Sequence, residues 1–291
     1  MSARPMTPGV RAGLVAIASV IFWLGLSLFV FPGETDTLFA WTIDPPLTAA
    51  FLGASYWAST TLAVACASER EWVCGRGFAA PYLIAGVVLL WVTLVHIDRF
   101  HMDEVTGWAW LVLYAIFPPA VLVLLVRQVR LPGGEPERGA PIPRALVVAL
   151  GAFGTALAGL GVALIVAPAD AAALWPWPLT PLTGRAVGTF VLAQGVLALT
   201  VCREGDWARV RPAMLQNLVL GVLHLIALVR FSDTLDWDTA GAWIYLGAVL
   251  ALLGVGAYGT FCTQRARAGA VVSRRSAPGG HGAPASVNGG R

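Results

Sequence analysis

Eight long apolar runs, separated by short polar segments, set the pattern of this chain. They cover residues 13–31, 47–67, 78–96, 107–126, 145–167, 182–202, 212–229 and 240–262. Each is close to the roughly 20 residues that a helix needs to cross a bilayer, and none holds an acidic residue. Backbone amides in hydrocarbon find partners only inside a helix or a closed barrel. Apolar runs of this length therefore predict helices, and the expected fold class is an all-α integral membrane protein with eight transmembrane helices.

The polar segments between the runs carry the orientation signal. Sixteen arginines lie on the side of the N-terminus: Arg4, Arg11, Arg70, Arg76, Arg127, Arg130, Arg138, Arg144, Arg203, Arg209, Arg211 and five in the tail from Arg265 to Arg291. Three (Arg99, Arg185 and Arg230) lie on the other. Cytoplasmic loops retain basic residues, so both termini are expected in the cytoplasm of a bacterial plasma membrane. Cys66, Cys74, Cys202 and Cys262 all fall at the ends expected to face the reducing side. Nine of the twelve tryptophans fall at span ends or in short loops, the depth that indole prefers.

A second pattern runs beneath the first. Phe31-Pro32 matches Ala167-Pro168, Trp41 matches Trp177, Leu47-Thr48 matches Leu182-Thr183, and Glu71-Trp72 matches Asp206-Trp207, all at an offset of 134 to 136 residues. Each half has an even number of spans, so the two would run in the same direction, related by an axis along the membrane normal. The expected organisation is a first four-helix repeat (1–130), a linker (131–143), a second four-helix repeat (144–262) and a disordered cytoplasmic tail (263–291).

Composition narrows the function classes. The chain is 57% hydrophobic and 12% charged, with a mean hydropathy of +0.74; a soluble domain has roughly twice that charge. All 19 basic residues are arginine, a mark of a GC-rich genome, and no basic patch with interleaved aromatics suits nucleic acid. Without lysine there is no phosphate-binding Gly-Lys loop. Gly-x-Ser-x-Gly, His-Glu-x-x-His and Cys-x-x-Cys are absent as well.

Packing and chemistry leave fewer clues. Gly151, Thr155, Gly159 and Ala163 form a small-residue stripe on the fifth span, a candidate helix seam. Pro118-Pro119 in the fourth span predicts a kink or break, and Gly254 and Gly256 occupy the matching stretch of the eighth. The outer loops carry ten carboxylates. Among them, His96, Asp98, His101 and Asp103 form a candidate metal site, since imidazole and carboxylate together suit divalent ions; a solvated outer loop is the plainer account. His224 lies near the middle of the seventh span, with Asn217 and Gln216 below it and Gln194 at similar depth on the sixth. An ionisable group at that depth marks a candidate substrate site, and a neutral imidazole bonded to a neighbouring helix is the alternative. Nothing demands a cofactor, although a haem or a divalent metal is what these imidazoles would suit. Three functions compete: a small-solute or ion permease with its site between the repeats, a membrane enzyme or redox subunit using His224 or the His96/His101 cluster, and a non-catalytic scaffold.

Overall fold

The computed structural model describes residues 3–276. It is all-α, with eight helices long and apolar enough to cross a membrane. They are α1 (Pro8–Val30), α2 (Pro46–Ala67), α3 (Trp72–Val95, with one irregular turn near its start), α4 (Val105–Val129), α5 (Arg144–Val166), α6 (Pro181–Glu204), α7 (Trp207–Arg230) and α8 (Ala240–Ser276). The ends follow local chemistry. Thr7 caps α1 ahead of Pro8, Thr180 and Thr183 form a reciprocal capping box at α6, and Asp206 caps α7 through Ala208 N at 2.8 Å. Gly205, with φ +59°, takes the left-handed conformation that ends α6.

The helices pair as α1–α2, α3–α4, α5–α6 and α7–α8, and the two halves meet through α2–α7 and α3–α6. Helix α2 is the most enclosed, buried without interruption from Leu47 to Tyr56. Where two helices approach closely, glycine makes room. A Cβ on Gly161 would lie 2.5 Å from Leu192 N, and one on Gly195 would lie 2.6 Å from Ala158 N. The α5–α6 seam therefore runs through Gly154, Ala158 and Gly161. The stripe expected from sequence lies elsewhere: Gly159 has open space beside it and Thr155 is exposed. Four-residue spacing of small residues occurs on two faces of α5, and only the partner helix decides between them.

The structure narrows one further expectation and changes two. Helix α4 passes through Pro118 and Pro119 without a break in its helical run. Gly256 is a packing position: its Cα lies against the Leu218 backbone of α7, and α8 is unbroken there. The last helix does not give way to tail at residue 263 but continues to Ser276. Thr263 is fully buried, and Arg267 holds Glu69 at 2.5 Å, so tertiary contacts extend a helix whose composition looks like tail. The rest of the expected tail, 277–291, lies outside the described residues.

Several local details recur in the two halves. Trp108 Nε1 donates to Met102 O at 2.9 Å, and Trp243 Nε1 donates to Trp237 O at 2.9 Å. His96 N caps back to Val92 O and Phe231 N to Ala227 O. Pro5 bridges Glu71 as Pro141 bridges Asp206. Arg76 binds Glu204 across the halves, and Arg211 binds Glu69 in the reverse sense.

Candidate functional site

A cavity of about 510 Å³ lies mainly in the second half, bounded by α5, α6, α7 and α8, with α2 closing the inner side. Its lining is apolar apart from a small polar floor. His224 belongs to that floor and is 4% exposed. Its ring stacks on Phe51 of α2, with centroids 4.7 Å apart and planes 13° apart; Tyr245 and Trp175 stand above it. Both His224 ring nitrogens are buried without a hydrogen-bond partner. Such a group costs free energy unless something satisfies it.

The other three residues expected at this depth do come together, but with one another. Gln216 Nε2 donates to Gln194 Oε1 at 3.0 Å, and Gln194 Nε2 donates to Asn217 Oδ1 at 2.9 Å. This relay ties α6 to α7. Gln194 also faces the cavity beside His224, while Asn217 and Gln194 line a smaller adjoining chamber of about 140 Å³. Neither His224 nitrogen makes a hydrogen bond of ordinary length and angle to a described residue, and the Phe51 backbone is the protein group that acts on the ring.

The cavity opens on the outer surface of the bundle. Ala156 of α5 and Ile244, Gly247 and Ala251 of α8 line it and are exposed on the bundle surface. Helices α5 and α8 border the opening without packing along each other, whereas α1 and α4 do pack in the first half. There the matching space is filled. The residues 135 positions before Val191, Tyr245, Val249 and Leu252 are Tyr56, Trp110, Tyr114 and Phe117. The Tyr56 and Tyr114 hydroxyls bond at 2.7 Å, and Trp110 packs on Tyr114 at 4.4 Å. The cavity thus lies within the second half and not between the halves; bulky aromatics occupy the corresponding positions of the first.

The outer cluster is not gathered. His96 Nε2 meets the Arg185 guanidinium at 2.5 Å. Burial and the charge of Arg185 both lower its pKa from the ordinary imidazole value. His101 spends both nitrogens on α2's approach segment, Nδ1 on Phe39 O at 3.1 Å and Nε2 on Thr42 Oγ1 at 3.2 Å. Asp98 pairs with Arg99 on the surface, and Asp103 is exposed. Among the described residues no three His, Cys, Asp or Glu side chains converge on a point where a metal could bind.

Sequence reasoning missed the buried charges on the N-terminal face. Glu69, Glu204, Asp206 and Arg209 are all nearly inaccessible. Glu204 is held by Arg76 and Arg209, Glu69 by Arg211 and Arg267, and Asp206 Oδ2 accepts from Gly139 N and Ala140 N. A signal existed: Glu69 and Glu204, like Arg76 and Arg211, stand at the same 135-residue offset as the aromatic matches.

Compared with known proteins, the chain matches no family model, and neither a curated protein nor a solved structure is similar to it. The reading of its function rests on its own geometry.

Proposed function

We propose that this protein binds a membrane-dissolved small molecule, chiefly apolar with one hydrogen-bonding group, in the cavity above His224. The observation that carries the proposal is a buried imidazole without an ordinary hydrogen bond, on a residue that lines an apolar cavity open to the bundle surface. A neutral imidazole offers one donor and one acceptor, which suits a carbonyl or hydroxyl group on the ligand. The apolar walls suit the remainder, as is usual for such sites. A hydrated ion fits poorly, since no charged residue lines the cavity. Of the permease readings, the small-solute form is therefore the one retained, with entry from the bilayer between α5 and α8.

The setting we infer is a multi-pass protein of a bacterial plasma membrane with both termini in the cytoplasm, supported by the sixteen-to-three arginine split. Two parallel four-helix repeats are supported by the recurring caps, bridges and crossed ion pairs. Cysteines introduced at Thr37 and Thr234 should react with an impermeant reagent in intact cells, and one at Pro136 should not; the reverse pattern defeats the orientation.

The ligand proposal is tested by organic extraction and mass spectrometry of the protein purified in nanodiscs. The wild type should carry a small molecule in stoichiometric amount. Ala248→Trp, which fills the cavity from α8, should lose it while remaining folded. Equal recovery from both proteins would reject the site. A Soret band in the purified protein would instead favour haem at His224.

A further inference from the structure

We propose that a second pocket, at the N-terminal face between α3 and α6, binds the phosphate of an anionic phospholipid. The pocket has a volume of about 510 Å³ and is lined by Arg4, Arg76 and Arg203 together with apolar residues that include Val129 and Leu199. It is remote from the His224 cavity and shares no lining residue with it.

Charge is left over here. Arg76 and Arg209 hold Glu135 and Glu204, and Arg203 reaches Glu204 only at 3.5 Å with its side chain 72% exposed. Among the described residues Arg4 has no carboxylate partner: one Nη reaches Gly133 O at 3.4 Å, and its Nε is buried with nothing to bond. Of the three guanidinium groups that line the pocket, only Arg76 is held closely by carboxylates, Glu135 and Glu204, which it shares with Arg209. Guanidinium forks match phosphate oxygens in geometry as well as charge, and basic pockets between transmembrane helices on the cytoplasmic side suit lipid head groups.

The apolar half of the pocket selects a lipid over a free anion. Val129 and Leu199 are exposed on the bundle surface directly beside the arginines. An acyl chain would cover them while its phosphate met Arg4 and Arg203. The counterpart in the other half lacks this chemistry, because Ser68 stands 135 residues before Arg203.

The test uses the full chain in phosphatidylcholine nanodiscs containing a minor fraction of phosphatidylglycerol, with retained lipids counted by native mass spectrometry. The wild type should retain phosphatidylglycerol above its bulk share. Arg4→Gln and Arg203→Gln should each cut that enrichment about fivefold. Arg144→Gln, which removes the same charge from an exposed position outside the pocket, should leave it unchanged. Ala80→Trp should also abolish enrichment, since it blocks the apolar half without altering charge, and it carries the test if an arginine variant fails to fold. Equal loss in Arg144→Gln would reduce the effect to diffuse surface charge. Displacement of the lipid by inorganic phosphate, or enrichment surviving Ala80→Trp, would overturn the lipid assignment.

Discussion

Arg76 of α3 donates hydrogen bonds of 2.8 and 3.0 Å to the two carboxylate oxygens of Glu204, at the end of α6. The Glu204 side chain is 4% exposed and that of Arg76 18%. This pair joins the two halves of the bundle, and Arg211 with Glu69 at 3.1 Å joins them in the opposite direction. Removing one member of a buried pair strands the other charge, at a cost of about 3–5 kcal/mol. Glu204→Gln leaves Arg76 and Arg209 sharing the exposed Glu135 alone and should fall near the low end of that range. Arg76→Gln should cost less, because Arg209 still reaches Glu204. A double-mutant cycle read by unfolding in detergent should give a coupling of about 1–3 kcal/mol for Arg76 and Glu204. Additive single effects would show that the contact contributes nothing.

The α5–α6 seam offers a contrast between two glycines two positions apart. A Cβ on Gly161 would meet the Leu192 backbone, which cannot move aside as a flexible side chain can; a Cβ on Gly159 meets nothing within 4 Å. Gly161→Val should lower stability by about 2 kcal/mol or more through forced separation of the helices. Gly159→Val should lie within about 0.5 kcal/mol of wild type, as surface substitutions do. Thermal unfolding of the two variants in the same detergent checks the prediction, and a reversed order would place the seam on the other face.

The eight spans were legible because hydrocarbon leaves the backbone only one economical answer. The run 182–202, for example, sits inside the observed Pro181–Glu204. Helix ends were less so. Helix α8 outruns its apolar segment because Thr263 is buried and Arg267 reaches Glu69, contacts that come from 198 residues away in sequence. The site was half legible. Depth alone placed His224, Asn217, Gln216 and Gln194 in one layer, but which of them bond each other depends on helix rotation. Gln194 proved to be the link, leaving His224 apart. The cavity itself was invisible from sequence: it follows from the small side chains of Ala156, Gly247 and Ala251 standing where α5 and α8 diverge. The outer cluster misled because nearness in sequence implied convergence, whereas His96 and His101 turn to partners on different segments.

His96 makes stability depend on pH in a defined sense. Its Nε2 can accept from the Arg185 guanidinium only while the ring is neutral, and burial together with Arg185 holds its pKa below the ordinary 6.5. The unfolded chain therefore binds a proton before the folded one does. The stabilisation is complete above the ordinary imidazole value and is lost as pH falls through it towards the lower folded value. Wild type should exceed His96→Leu in unfolding temperature at pH 8, and the gap should shrink steadily towards pH 5. The ring is half-buried, so the change should be modest. A gap that is constant with pH would mean that Arg185 does not read the protonation state of this ring.

His224 distinguishes a binding group from a structural one by the sign of a stability change. A buried imidazole satisfied by the protein contributes to stability, and its replacement is costly. An unsatisfied one carries a desolvation penalty, and an apolar group of similar shape in its place is neutral or stabilising. Neither His224 nitrogen makes an ordinary hydrogen bond to a described residue, and the ring lies flat on Phe51, a geometry that a phenyl ring can adopt. In protein stripped of bound small molecules, His224→Phe should therefore raise the unfolding free energy by about 1–2 kcal/mol. In protein purified with its ligand in place the order should invert, because only the wild type gains from binding. If His224→Phe is less stable than wild type in the stripped protein too, the imidazole has a partner within the bundle, and the proposed ligand site loses its anchor.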